Sequence, residues 1–363
     1  MLLRKRTTVG LSILVIFVLF SNILYSQGGD AAVPFLLIAP DSRAGAMGET
    51  GVALADNANA IFWNPAGLAF QKGTEISFTH AKWLPQFSSD LSYEYLSAKH
   101  YVASIDATIG ANITFFNLGS FERRDENNTY LGTFKAFEYA VALAYAMKLT
   151  QSFGFGVNLR YIHSQLAPFG TAEEQGRGVA NGISFDIGLL FRDYVFGRRV
   201  SAGLNLSNLG PMIHYIDKEQ ADPLPTHLRV GFAFDIIQTK YNNFTATVDF
   251  GRVLVRRYPG EGRKPDPLPK SLITAWGEYA SLRKVTVGAG FEYWYGSPRL
   301  IALRAGYFYE DPRAGGRRFA TFGAGVRYSI VGVDFSYIST FEANHPLANT
   351  LRFTILLNFG GEE

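Results

Sequence analysis

The sequence predicts an all-β protein: a closed barrel of fourteen antiparallel strands that spans a membrane, with the segment ahead of the first strand folded back to plug the lumen. Three observations carry that expectation. Apolar and polar residues alternate with a period of two from residue 74 onward, the alternating segments commonly run nine to twelve residues, and the connections between them are alternately long and short. Composition agrees with this. Gly (37), Phe (30) and Tyr (19) are over-used, charged residues make up only 18%, and Cys is absent. That balance suits antiparallel sheet better than a helical enzyme, and it excludes a disulfide framework or a thiolate metal site.

The N-terminus addresses the compartment. Arg4, Lys5 and Arg6 form a basic region, Val9 to Leu24 is a short apolar run, and Ser26 follows. This is the layout of a secretory signal peptide over 1–26, cut between Ser26 and Gln27. The alternative, an N-terminal transmembrane anchor, would need a longer run to cross ~30 Å of hydrocarbon comfortably. Residues 1–26 hold three of the 34 basic residues and none of the 31 acidic ones, so the remainder carries 31 of each. With no net charge left, a nucleic-acid partner loses its electrostatic basis. No later stretch reaches the ~18 uninterrupted apolar residues that a helical membrane span requires.

The alternation is clearest in three segments. Val285, Val287, Ala289, Phe291, Tyr293 and Tyr295 face one way, against Thr286, Gly288, Gly290, Glu292 and Trp294. Leu351, Phe353, Ile355, Leu357 and Phe359 alternate with Arg352, Thr354 and Asn358, and Phe153 to Tyr161 alternates with Gly154, Gly156, Asn158 and Arg160. Successive side chains of a strand point to opposite faces, so each segment separates an apolar environment from a polar one. A soluble sandwich alternates too. Segment length instead matches a tilted spanning strand, and aromatics gather near segment ends (Tyr293, Trp294, Tyr295; Tyr307, Phe308, Tyr309) as interface girdles do. In lipid no strand edge can stay unpaired, so the set must close.

The expected strands are 74–83, 90–100, 105–117, 134–149, 153–165, 182–191, 200–208, 226–237, 244–254, 285–295, 300–309, 319–329, 332–340 and 350–359. Connections 118–133, 166–181, 209–225 and 255–284 are long and become extracellular loops, while the intervening ones become periplasmic turns. Ser271 to Leu282 could be a fifteenth strand. Its apolar residues Leu272, Trp276, Tyr279 and Ala280 fall at helical spacing, so it reads as a short amphipathic helix in a Pro-rich loop, leaving even parity. Residues 27–73 do not alternate and are rich in Gly, Ala and Asn, which favours close backbone packing inside a polar lumen; the alternative is a flexible periplasmic tail.

The residues also carry a family resemblance. Asn64-Pro65-Ala66-Gly67, preceded by Ala58-Asn59-Ala60-Ile61-Phe62-Trp63, resembles the hatch signature of FadL-type outer-membrane barrels. Ser42-Arg43-Ala44-Gly45-Ala46-Met47-Gly48, Gly203-Leu204-Asn205-Leu206-Ser207-Asn208-Leu209-Gly210, Leu303-Arg304-Ala305-Gly306-Tyr307-Phe308-Tyr309-Glu310 and Pro346-Leu347-Ala348-Asn349-Thr350-Leu351-Arg352-Phe353 are similar to the PorV/PorQ family of the type IX secretion system. The resemblance implies a FadL-like, fourteen-stranded barrel in a bacterial outer membrane, with an N-terminal hatch carrying Arg43, Asn64, Pro65 and Gly67. It implies a role without chemistry. The partners would be outer-membrane lipid, secreted proteins with C-terminal signal domains, the type IX translocon and the attachment complex to which cargo is delivered. A FadL-like transporter of long-chain fatty acids or other hydrophobic molecules, and a PorQ-like anchor for a surface enzyme, are the alternatives. The terminal Gly360-Gly361-Glu362-Glu363 departs from barrels that end on an aromatic residue, which leaves Phe359 as the terminal assembly signal.

Chemistry is hard to find in the chain. Its six His are dispersed without metal-ligand spacing and no nucleophile elbow occurs, so neither catalytic residue, cofactor nor metal is expected. Alternation places Arg160, Arg229, Asp249, Glu292, Arg304, Arg327, Asp334 and Arg352 in the lumen, where burial favours mutual pairing or contact with the hatch over a polar conduction path. Phe121, Tyr130, Phe169, Trp276 and Tyr279 fall in loops or at the rim. They are either partner contacts or loop and girdle packing.

Overall fold

A computed structural model of the chain describes residues 31–88, 90–125, 127–169, 177–215, 218–258, 263–278, 281–342 and 345–360. The expected signal peptide, Tyr279 and the last three residues lie outside them. Fourteen strands form: β1 (Thr74–Lys82), β2 (Ser92–Val102), β3 (Ala107–Arg124), β4 (Tyr130–Lys148), β5 (Phe153–Ala167), β6 (Gly178–Val195), β7 (Arg198–Leu209), β8 (His227–Gln238), β9 (Asn242–Val253), β10 (Thr286–Tyr295), β11 (Ile301–Tyr309), β12 (Arg318–Tyr328), β13 (Val331–Thr340) and β14 (Leu351–Phe359). Each pairs antiparallel with its sequence neighbours, and β1 closes on β14 from Thr74 opposite Phe359 to Lys82 opposite Leu351. Closure leaves no edge with unpaired backbone groups, which is the condition for crossing lipid as sheet.

The faces separate as the alternation requires. On β14, Leu351, Phe353, Ile355 and Phe359 are exposed while Arg352, Thr354 and Leu356 are buried. Six short turns (103–106, 149–152, 196–197, 239–241, 296–300, 329–330) gather at one end, and the other connections, all but 125–129 longer, at the opposite end. Short turns on the periplasmic side and long loops outside are the rule for such barrels.

Three expectations need correction. Residues 118–133 are not an open loop. β3 runs on to Arg124 and β4 begins at Tyr130, because Phe121 pairs with Phe134 and Arg123 with Gly132 beyond a bulge at Asn117–Gly119. Asp125 then closes the turn by accepting from the Asn127 and Thr129 amides. Trp294 and Phe308 are not girdle residues. Both are buried and inward, Trp294 beneath the Arg304 and Arg327 guanidinium groups at 5.2 Å each and Phe308 stacked on Phe319 at 4.9 Å. In the third case, the stretch near 271–282 is helical as Ser271–Thr274 with 3-10 turns at Ala275–Gly277 and Ser281–Lys284, but its buried residues are Ser271 and Ala275, not Leu272 and Trp276. The reason is Arg252, whose guanidinium draws the Ala275 and Ser281 carbonyls inward as acceptors.

Residues 31–73 run inside the barrel, and residues 45–52 step past the strands in descending order. A methyl added at Gly45 would meet Arg352 of β14; at Gly323 of β12, the Ala46 side chain; at Gly306 of β11, the Gly48 amide nitrogen at 2.2 Å; at Gly288 of β10, the Gly48 carbonyl at 2.2 Å; at Gly203 of β7, the Val52 carbonyl at 2.4 Å. The wall glycines therefore admit the segment's backbone where any side chain would push it away. Gly48 itself combines φ of +71° with a hypothetical Cβ 2.4 Å from the Tyr307 carbonyl, so two independent constraints require glycine there.

Gly306→Val therefore lowers stability by about 1–3 kcal/mol through overpacking, read by urea unfolding of the protein in lipid vesicles. Ala324→Val, on the exposed face of the neighbouring strand β12, leaves stability within about 0.5 kcal/mol.

Candidate functional site

Two regions concentrate the residues singled out by sequence: the interface between the inner segment and the wall, and the loop end of the barrel.

At the interface, the short helix Ser42–Gly45 is started by Asp41, whose carboxylate accepts from the Ala44 amide at 3.0 Å and from Trp63 Nε1 at 2.6 Å. This start aims Arg43 at the wall. The Arg43 guanidinium makes a two-pronged contact with Glu292, Nε and Nη2 each 2.7 Å from a carboxylate oxygen, and its third arm pairs with Asp56. Glu292 also accepts from Arg304 Nε at 2.8 Å, Arg304 Nη1 donates to Asp334 at 2.8 Å, and Arg327 Nη2 donates to the other Asp334 oxygen at 2.6 Å. Charges thus alternate from Asp56 through Arg43, Glu292, Arg304 and Asp334 to Arg327, crossing from the inner segment over β10 to β13. Four of these charges are buried and Asp56 and Arg327 half-buried, which is tolerable when each sign meets its opposite. Asp56 illustrates the balance. Burial would raise its pKa, but Arg43, Arg199 and Arg192 hold it down at about 2.

The other inward charges serve the same interface. Arg160 pairs with Asp186 at 2.6 Å. Asp249 binds backbone instead of a cation, accepting from the Gly51 and Val52 amides at 2.7 and 2.9 Å. Arg352 reaches Glu49 at 3.4 Å and lies over Trp83. Arg229 stacks on Phe62 and Trp63. Asn64 explains the Asn-Pro-Ala-Gly motif. Its side chain accepts from the Ala66 amide and donates to the Val52 and Leu189 carbonyls at 3.1 and 3.0 Å, while Pro65 starts the 3-10 turn Pro65–Phe70 and Gly67 leaves room for the Ala55 carbonyl.

Sequence reasoning missed Asp186, Asp56, Arg199 and Gln71. Asp186 was legible, since it shares its inward face with Ser184 and Gly188 of β6. Asp56 and Gln71 lie in a segment without alternation, where nothing in the sequence marks which polar residue turns to the wall. Gln71 donates to the Ala55, Asn57 and Gly67 carbonyls. Among the described residues, no group of three or more His, Cys, Asp or Glu side chains is placed to hold a metal ion.

At the loop end, Phe121, Tyr130, Phe169 and Trp276 are all exposed. Phe121 stacks on Phe134 at 5.8 Å, Phe169 meets Phe134 edge-on at 6.2 Å, and the Arg123 guanidinium lies 4.8 Å from the Phe169 ring. Tyr130 bonds Thr133 nearby. Trp276 stands apart, over Arg252 at 4.5 Å.

Comparison with known proteins resolves the family. The model described as "Type IX secretion system protein PorV" matches residues 27–259, more than half of the chain. The chain belongs to the PorV family. No curated protein sequence matches it. Among solved structures, the Pseudomonas putida toluene transporter TodX is similar at TM-score 0.51 and 14% identity, covering 92% of this chain and 98% of its own. The Ralstonia pickettii toluene transporter TbuX matches at 0.50 and 16%, covering 88% and 98%. A Pseudomonas aeruginosa FadL homologue matches at 0.48 and 11%, covering 88% and 98%. At such identities the likeness concerns the fold, which is FadL-like. Family and fold together make this PorV-family chain an outer-membrane protein.

The charge ladder generates a sharp expectation. Glu292→Gln leaves Arg43 and Arg304 facing each other around a neutral amide, which costs about 3–5 kcal/mol. Urea unfolding should register the loss, and protease should cut the inner segment at lower urea than it cuts the barrel.

Proposed function

We propose that this PorV-family protein is a non-enzymatic carrier of type IX secretion. It binds cargo through the cargo's C-terminal signal domain, binds the translocon, and delivers cargo to the surface attachment complex. Family membership carries the reading, since a match over residues 27–259 ties the chain to that secretion system. The exposed Phe121, Phe169 and Arg123, grouped around the half-buried Phe134, support the choice of surface, because aromatic rings and arginine are the residue types that anchor protein interfaces. In this reading the signal peptide over 1–26 is removed near Ser26, residues 27–73 act as a plug, and the exposed apolar faces of the strands meet outer-membrane lipid. Phe121, Tyr130, Phe169, Trp276 and Tyr279 are the partner contacts.

A second reading, a transporter of hydrophobic molecules, is favoured by the fold shared with TodX. Against it stand the wall glycines that seat the inner segment and the buried ion pairs that tie it down. A PorQ-like anchor would retain one stable surface enzyme and no cargo.

Deleting the gene should leave proteins with C-terminal signal domains in the periplasm, and affinity purification from native membranes should recover cargo and translocon. Phe121→Glu with Phe169→Glu should cut cargo recovery about tenfold or more while leaving the barrel folded. Normal secretion after deletion would refute the role. Fatty-acid uptake without any protein partner would favour the transporter.

A further inference from the structure

Arg229 of β8, unlike Arg43, Arg160, Arg304, Arg327 and Arg352, stands in no ion pair among the described residues. It is buried, at 5% exposure. Its Nε donates to His227 Nδ1 at 3.0 Å, and its plane faces the rings of Phe62 at 4.7 Å and Trp63 at 5.2 Å. Its terminal nitrogens have no hydrogen-bond acceptor, and no carboxylate stands within ion-pair distance, among the described residues. Asp249, the acid on the neighbouring strand, accepts the Gly51 and Val52 amides on one oxygen, and its other oxygen makes no hydrogen bond to Arg229. Asp249, Asp186 and Glu49 act on Arg229 only from a distance, and a buried cation without a direct ion pair is costly, which points to an anion that is not part of the chain.

The space for one is present. Arg229 and His227 line a cavity of ≈ 250 Å³ between the inner segment and the wall, near the loop end, and Pro34, Leu37, Phe62, Trp63 and Phe308 give it apolar sides. Because His227 Nδ1 accepts from Arg229, a neutral imidazole carries its proton on Nε2, a second donor. The other lining cations are already engaged: Arg317 with Glu310 at 2.8 Å, Lys284 with Glu278 at 2.9 Å, and Arg252 with the Ala275 and Ser281 carbonyls, while Glu49 pairs with Arg352 at 3.4 Å.

We propose that this cavity binds a small carboxylate on a flat apolar body, of the aryl carboxylate class, with Arg229 taking the carboxylate as a fork. The chemistry selects that class. Of the four lining cations only Arg229 keeps its fork open, and that fork beside one neutral donor matches a single carboxylate. Glu49 and Asp249 also line the cavity and disfavour a dianion such as phosphate. The ring-lined sides suit an aromatic body, and a cavity of ~150 Å³ already accepts benzene elsewhere. The site is independent of the secretion role, and either can fail alone.

Benzoate, benzamide and toluene titrated calorimetrically into the full-length protein in detergent test it. Benzoate should bind at least tenfold more tightly than its uncharged isostere benzamide or toluene. Arg229→Gln should lose benzoate affinity at least tenfold, and Arg229→Lys should retain part of it while keeping the heat-modifiable migration of a folded barrel. Equal binding of benzoate and benzamide, no benzoate binding at all, or full affinity in folded Arg229→Gln would overturn the proposal. The first two comparisons use the unaltered protein, so they decide the matter even if a variant misfolds.

Discussion

The architecture depends on one steric condition: the inner segment's backbone touches the barrel wall without side chains between them. Gly156, Gly203, Gly288 and Gly306 supply that contact from four strands, and Gly48 returns it from the segment. With the two backbones this close, donors and acceptors of the segment come within reach of the wall. Asp249 can cap the Gly51 and Val52 amides, Asn205 can donate to the Trp63 carbonyl at 2.9 Å, and Arg43 can reach Glu292. Open the gap by one methyl group and these polar groups are buried without partners, a penalty larger than the strain itself. Packing and electrostatics are therefore a single cooperative interface.

That interface also explains how a barrel can serve as a binding scaffold. A wide, water-filled cylinder is held only by its ladder bonds and its lipid face. Here the lumen is crossed by ion pairs and hydrogen bonds from β1 to β14, so the loops at the open end project from a braced rim. The hairpin extending β3 and β4 stands above that rim as continuous sheet, because its strands keep pairing past the bulge at Asn117–Gly119. Aromatic groups on such an arm lose little freedom when a partner packs on them, which is the physical advantage of a preorganised surface.

The wall was legible because a strand in lipid enforces period-two alternation, and this places Glu292, Arg304 and Arg352 inward from sequence alone. Strand number followed from the alternating segments together with loop parity. The limits of legibility have equally physical origins. Trp294 and Phe308 resemble girdle residues by type and position, yet the strict alternation that turns Tyr293 and Tyr295 outward turns Trp294 inward, where cations lie over its ring. β3 and β4 outran their expected ends because residues beyond the membrane need no apolar face to remain paired. The inner segment has no period at all. Its small residues announced close packing, but which polar side chain meets which strand is fixed by contacts about 250 residues apart in sequence, as between Arg43 and Glu292.

Hydrogen exchange of the full-length protein in detergent, followed by mass spectrometry, addresses the seated inner segment most directly. The account predicts that amides of residues 42–68 exchange as slowly as those of β10 to β14, since they are enclosed by the wall and bonded to it. Exchange of those amides within seconds, while the strands stay protected, would mean that the segment leaves the lumen freely, and it would contradict the account.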